Sequence, residues 1–376
     1  MKKKHIFYTV VVSLLIVACQ GCDSMNPITD IITRPTAREQ YARTYKDSVV
    51  LFKPWQAAYN LSKLDSLEVE LPYGERGFFQ PQGNAVYTYN IVLQEGEVLE
   101  VAVQKDSGAE KVFSEVLQQR DSVWKMVAQN DDGENTIEYV VNDTGRYKVM
   151  LQPEIKAHAG FFISLTKRPQ YGFPVAGKGN ADIGSFWGME RDGGARAHEG
   201  IDIFAKRGTP VVAVTSGTIS YTGERGLGGK QVWLRDGLFG NSLYFAHLDS
   251  IDVEAGTQVK TGDTLGFVGN TGNAKTTVPH LHFGIYKHGA VNPLPFVYKV
   301  APLQQGNYTY TFNDNILKAK GQANLRQGPG TGTSVVGQAA PGDVLLVLGQ
   351  HQDWLHVKTH NGTAAFLHKS LVKEAK

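Results

Sequence analysis

Through most of the chain, apolar residues alternate with polar ones in short runs interrupted by Gly, Asn, Asp and Pro, the pattern of half-buried strands joined by tight turns. Over about residues 66–168 the runs AVYTYNIVL, VLEVAVQ, TIEYVVN, RYKVML and GFFISLTK, with turn segments such as NDDG and NDTG, predict a β-sandwich. A Pro-containing junction, KRPQYGFPVAG, opens a second region over about 169–300. Its AGTQVKTGDTLGFVGNTG has the Gly-punctuated short strands of a small barrel-sandwich fold. The pattern changes again over 313–373, where short strands recur around Gly and Pro turns. Residues 19–65 are more polar and read as a tether, in which ITRPTAREQYARTYKDS can form a short helix. The expected fold is mainly β: an N-terminal β-sandwich, a central barrel-sandwich-like antiparallel β domain and a C-terminal small barrel.

Composition narrows the setting. In 376 residues, 38 Lys and Arg face 36 Asp and Glu, and the near balance gives no basic surface for nucleic acid. Lys2, Lys3 and Lys4 precede an apolar stretch from Ile6 to Val17, the layout of a secretory signal and too short to favour a membrane span. Ile16-Val17-Ala18-Cys19 resembles a bacterial lipobox, which implies a signal over residues 1–18 and a lipid anchor on Cys19. Cys22 is a poorer cleavage position, and a conventionally cleaved signal is the competing reading. Gln20 is not the Asp that often retains such lipoproteins at the inner membrane, so the resemblance implies an outer-membrane lipoprotein facing the periplasm. No cysteine follows residue 22. The exported domains therefore fold without internal disulfides, and a transition-metal site must use His, Asp or Glu.

Three stretches carry candidate chemistry. In VPHLHFGI, strand alternation sends His280 and His282 to one face and Leu281 and Phe283 to the other. In GGARAHEGIDIFAKRGTPVVAV, His198 and Asp202 are four apart, and His-Glu suggests the helical zinc motif with a glutamate base. Against that reading, position 202 is Asp, Gly200 weakens a helix, and IDIF followed by GTPVVAV reads as loop and strand. The better account places His198 at a loop end, Asp202 at the start of a strand and His282 beside them. Two imidazoles and a carboxylate suit a borderline divalent ion and leave a fourth position open. Glu199 is then expected beside the cleft or in solvent. In SLYFAHLDS, Tyr244 and His247 follow a glycine-rich segment, GERGLGGK, read as a turn between strands or a loop beside the cleft.

The order His-Glu-Gly-Ile-Asp, Tyr-Phe-Ala-His-Leu and Pro-His-Leu-His-Phe, with GSFWG before and VNP after, resembles the lysostaphin-type (LytM-like) zinc endopeptidases of bacterial cell walls. The resemblance covers most of residues 169–300. Carried over position by position, it implies one Zn2+ held by His198, Asp202 and His282, with His247 and His280 as catalytic residues across the bound water, and Tyr244 as an orienting or packing residue. Such an ion lowers the pKa of its water from about 16 toward about 7 and polarises the carbonyl under attack. The imidazoles take up and return the proton and steady the tetrahedral anion, with the base undecided between His247 and His280.

The flanking regions resemble known modules too. Residues 66–168 are similar in pattern to the jelly-roll accessory domains of secreted bacterial peptidases. Residues 313–373 resemble a bacterial SH3-like domain through Asn324, Arg326, Gly328, Pro329, Gly342, Asp343, Asp353, Trp354 and Val357. The match departs at Ala365-Phe366-Leu367, where the family often has Gly-Trp-Val. Together these features imply hydrolysis of peptidoglycan peptides, at stem cross-links in an outer-membrane setting. A lipoyl or biotinyl carrier would need a modifiable Lys at a hairpin tip, commonly beside Met, and none is present. A non-catalytic scaffold or activator of another wall hydrolase, and a glycan-binding adhesin, are the competing functions. The complete histidine set speaks against the scaffold, and the adhesin would keep its function without metal.

Overall fold

The computed structural model describes residues 35–80, 85–106, 110–238, 240–304, 308–312 and 315–375. The apolar leader, Cys19 and the start of the expected tether lie outside the described residues. Among the described residues the architecture is mainly β, as the alternating pattern predicts, in four antiparallel sheets of eleven, ten, four and two strands. None of the described helices is long and apolar enough to cross a membrane.

Residues 35–65, expected to be a tether with a short helix, hold that helix at Ala37–Tyr45 and a second one at Val49–Ser62, and both dock on the sandwich. The first opens on a capping box. Thr36 Oγ1 accepts from the Glu39 backbone N–H at 3.0 Å, and Glu39 returns the bond to the Thr36 N–H at 2.8 Å. Trp55, Tyr59 and Ser62, at helical spacing, form the buried face of the second. Trp55 packs with Phe113 and Ile155, and its indole N–H reaches the Pro153 carbonyl at 2.9 Å. A few aromatics at the right period thus fix a segment whose average polarity suggested reach.

The sandwich faces a sheet of Tyr87–Leu93, Gly145–Pro153, Val112–Arg120 and Val123–Gln129 against one containing Tyr73–Phe78, Gly160–Pro169, Glu97–Lys105 and Thr136–Val140. The second sheet continues without a break into the C-terminal domain: Tyr73–Phe78 pairs with Gly160–Pro169 on one side and with Val344–His351 on the other, at Arg76↔Gln350 and Gly77↔Gly349. Leu348 and Phe366 enter the sandwich core. Phe366 is fully buried, so the position where the chain departs from the SH3-like pattern is where that domain plugs into the sandwich.

A buried polar knot closes the seam. Glu75 accepts from Tyr73 at 2.5 Å, from Tyr89 at 2.9 Å and from His356 Nδ1 at 3.1 Å, and both Glu75 and His356 are about fully buried. Burial opposes the charged form of Glu75, but His356 and the two hydroxyls outweigh it and hold its pKa below the usual value. His356→Ala is therefore expected to destabilise the protein by about 3 kcal/mol, read as a lower denaturant midpoint at neutral pH. Because the folded-state pKa of Glu75 is depressed, its contribution is present above the ordinary carboxylate range and lost as the pH falls through it. The wild-type midpoint should drop more steeply than that of Glu75→Gln as the pH falls from about 5 to about 3. Equal slopes would refute the assignment.

The central domain is built on the ten-stranded sheet, in which Ser242–Ile251, His280–Tyr286, Ile201–Phe204 and Ile183–Ser185 lie side by side. Leu281, Phe283 and Ile285 face its core with Ile201, Ile203, Leu243 and Phe245, all fully buried. The opposite face of these strands is left for the site.

Candidate active site

Register does the first part of the assembly. Asp202 lies directly across from His282, and His282 directly across from Ala246 on its other side, so these residues share the face opposite the core. Position 247 should then return to the core face, as Leu243 and Phe245 do. It does not: His247 has φ 63°, and the pairing with Gly229–Arg235 slips there, Val232 lying across from Phe245 but Lys230 from Leu248, so that two residues oppose one. The bulge turns the His247 ring onto the face of Ala246, and Leu248 resumes the core. Positive φ in a non-glycine residue is the kind of local cost that functional sites retain.

The imidazoles and carboxylate converge as the sequence suggests. His198 Nε2 is 3.0 Å from Asp202 Oδ1 and 3.0 Å from His282 Nδ1, and His282 Nδ1 is 3.1 Å from Asp202 Oδ1. His198 Nδ1 sits 2.9 Å from the Phe186 carbonyl, which only accepts, so Nδ1 carries the hydrogen and Nε2 presents a lone pair to the cluster. Three lone-pair atoms at these separations repel unless a shared proton or a cation lies among them. The donor set fits a divalent transition ion, and these three residues can hold a metal. Burial works against the charged form of Asp202, yet the two imidazoles outweigh it and hold its carboxyl far below the usual range. Burial pushes His282 down, against the pull of Asp202.

His247 and His280 stand beside the cluster. Their ring centroids are 5.1 Å apart, and His247 is 5.8 Å from His282. Nδ1 of His247 donates to the Thr271 carbonyl at 2.9 Å, and Nδ1 of His280 to the Val278 carbonyl at 2.8 Å. Each therefore keeps Nε2 as its lone-pair nitrogen. Burial, then the neighbouring His282 and His280, push the His247 pKa down to about 4.

Gly200 is required by contact, since a Cβ there would lie 2.6 Å from both His282 Cε1 and the Phe283 carbonyl. Glu199 is exposed on the cleft rim, as expected once the helical motif is set aside. Tyr244 packs edge-on to His282 at 5.7 Å and close to Trp233 at 4.5 Å, and burial raises its pKa to about 12. GERGLGGK ends one strand, Gly217–Arg225, turns tightly over 226–228 and begins the next, Gly229–Arg235; the turn is fastened by Asn273 N–H to Leu227 O at 3.0 Å and His247 N–H to Gly228 O at 2.8 Å. The cleft encloses about 590 Å3, and its lining comes from residues 185–286 alone. Among the described residues, neither the sandwich nor the C-terminal domain covers it. Two side chains that sequence reasoning misses, Ser185 and Arg191, back the cluster from the rim. GSFWG carries the first as part of a motif without a role, and nothing marks the second.

Residues 196–293 match the model of peptidase family M23, and residues 321–373 that of the bacterial SH3 domain. The chain carries an M23 peptidase domain. The chain is 36% identical over 126 residues to the L-Ala--D-Glu endopeptidase of Bacillus subtilis, a match covering 31% of this chain and 38% of the relative. It is 38% identical over 113 residues to the DD-carboxypeptidase/endopeptidase Mpg of Neisseria meningitidis, covering 30% and 25%. It is 36% identical over 106 residues to lysostaphin of Staphylococcus staphylolyticus, covering 27% and 21%. The chain thus spans well under half the length of each of these relatives.

Proposed function

We propose that the protein is a zinc-dependent endopeptidase that hydrolyses peptide bonds of peptidoglycan at stem-peptide cross-links during wall remodelling. The observation that carries this reading is the convergence of His198, Asp202 and His282 as lone-pair donors beside two imidazoles of fixed tautomer. The relatives' names, an L-Ala--D-Glu endopeptidase and a DD-carboxypeptidase/endopeptidase among them, support peptides of the wall as the substrate class. Export as a lipoprotein on Cys19, at the outer membrane facing the periplasm, is part of the same proposal and rests on the leader's residues.

One Zn2+ held by the three ligands would supply an activated water and a Lewis acid for the scissile carbonyl. The rest is the work of the chain. With Nδ1 of His247 and of His280 engaged by carbonyls, each Nε2 can accept the proton released on attack and pass it to the leaving amine. Once protonated, the imidazoles are placed to stabilise the oxyanion. Tyr244, edge-on to His282, packs against that ring and limits its rotation.

Incubation of the mature protein with intact sacculi should release muropeptides cut at peptide bonds, identified by mass spectrometry. A chelator should suppress release, and added Zn2+ restore it. Chelator-insensitive binding with no released peptides would favour an adhesin and end the enzymatic reading.

A further inference from the structure

Arg191 closes the short strand Glu190–Arg191, which pairs with Arg196–Ala197 in a hairpin at the cleft rim. One of its nitrogens, Nη2, donates to Asp202 Oδ2 at 2.7 Å and to Ser185 Oγ at 2.5 Å. The two oxygens of Asp202 are thereby divided: Oδ1 faces His198 and His282, and Oδ2 is held by the guanidinium. Ser185 in turn lies directly across the sheet from Asp202, and its hydroxyl is 3.3 Å from His198 Nδ1. A single guanidinium nitrogen thus braces two of the three converging side chains, one directly and one through a serine.

The brace is shielded, and the neighbouring acid does not contest it. The Asp202 side chain is only 10% exposed and that of Arg191 28%, so the pair is screened far less than a surface ion pair. The neighbouring acid, Asp192, is taken by Arg196 and does not compete for Arg191. Without the guanidinium, no other side chain among the described residues holds Oδ2. The carboxylate could then rotate to present both, or turn Oδ1 away from the imidazoles.

We infer that Arg191 is a positioning residue for metal binding. It locks Asp202 so that one oxygen alone is offered to the ion, and through Ser185 it steadies His198. The inference rests on the reading of His198, Asp202 and His282 as the metal site. It makes the rim hairpin part of the metal-binding apparatus although it contributes no ligand. Partners behind metal ligands commonly govern affinity to about 10–100-fold, which sets the expected size of the effect.

The test uses the full mature chain and reads Zn2+ affinity by competition with a chromophoric chelator, alongside thermal unfolding of the metal-free protein. Arg191→Gln should weaken Zn2+ by about 10–100-fold, while the metal-free variant unfolds at the wild-type temperature. Arg191→Lys, which keeps the charge without the reach, should fall between the two. The visible spectrum of the Co2+-loaded protein should shift in Arg191→Gln as the carboxylate changes its denticity. Wild-type Zn2+ affinity in Arg191→Gln overturns the inference, whether it comes with a raised KM, which would make Arg191 a substrate contact, or with a lower unfolding temperature, which would make it structural. If the wild type itself binds no more tightly than His282→Ala, the metal-site reading fails and this inference falls with it.

Discussion

Replacing His282 with alanine is expected to remove tight metal binding and, with it, peptide release from sacculi. His282 is one of three converging donors among the described residues, and its loss leaves His198 and Asp202. A residue standing behind a ligand costs about 10–100-fold in metal affinity, so loss of a ligand should exceed about 100-fold. The substitution is structurally mild. His282 projects from a strand whose backbone pairs with Asp202 on one side and Ala246 on the other, and those pairings do not need the imidazole. Its ring abuts Gly200, so alanine opens space without forcing a clash. Metal content by elemental analysis and muropeptide release by mass spectrometry should fall together, while the unfolding temperature of the metal-free protein stays near that of the metal-free wild type. Full hydrolysis by a variant that holds no metal would sink the metallopeptidase reading.

How much of the site is legible in the sequence depends on what alternation can express. Leu281, Phe283 and Ile285 against His280 and His282 is a period of two, and that period by itself sets the imidazoles on one face. Asp202 is legible because the residues around it fail as a helix and pass as a strand. His247 is legible only through its motif: strict alternation sends it into the core, and the bulge that turns it outward depends on a backbone dihedral that side-chain polarity does not report. Arg191 is not legible at all, since a charged residue in a turn-rich rim looks solvated until its guanidinium is found on a carboxylate.

The fold shows the same division. Alternation finds strands but says nothing of which edges meet, so it cannot anticipate the pairing of Tyr73–Phe78 with Val344–His351, far apart in sequence. The two modules that read as separate share one continuous sheet, and Leu348 and Phe366 of the C-terminal module enter the sandwich core. Phe366, a departure from the SH3-like pattern, is the clearest mark of that fusion, and it makes sense only beside the sandwich residues it touches. Thr36 and Glu39, by contrast, are a readable helix start at the capping-box spacing, masked by the polarity of the segment around them.

Replacing His280 with alanine should separate binding from turnover. Its ring is not among the converging donors, and its Nδ1 is engaged by the Val278 carbonyl, so the metal affinity of the variant should stay within about twofold of wild type, well short of the loss expected even for a residue behind a ligand. Hydrolysis should fall by about 10²–10⁴-fold, the usual contribution of a positioned acid–base group. The loss should appear in kcat at saturating Zn2+, with KM little changed, because proton transfer and oxyanion stabilisation are demanded in the transition state and not in the bound substrate. His247 stands 5.1 Å away on the same face and can carry part of the same work, which places the His280 single variant above a His247→Ala, His280→Ala double variant. If both singles and the double are equally slow, the two imidazoles act as one unit. A His280→Ala protein that loses its metal along with its activity would instead put His280 among the ligands and break the division of labour within the His-Leu-His strand.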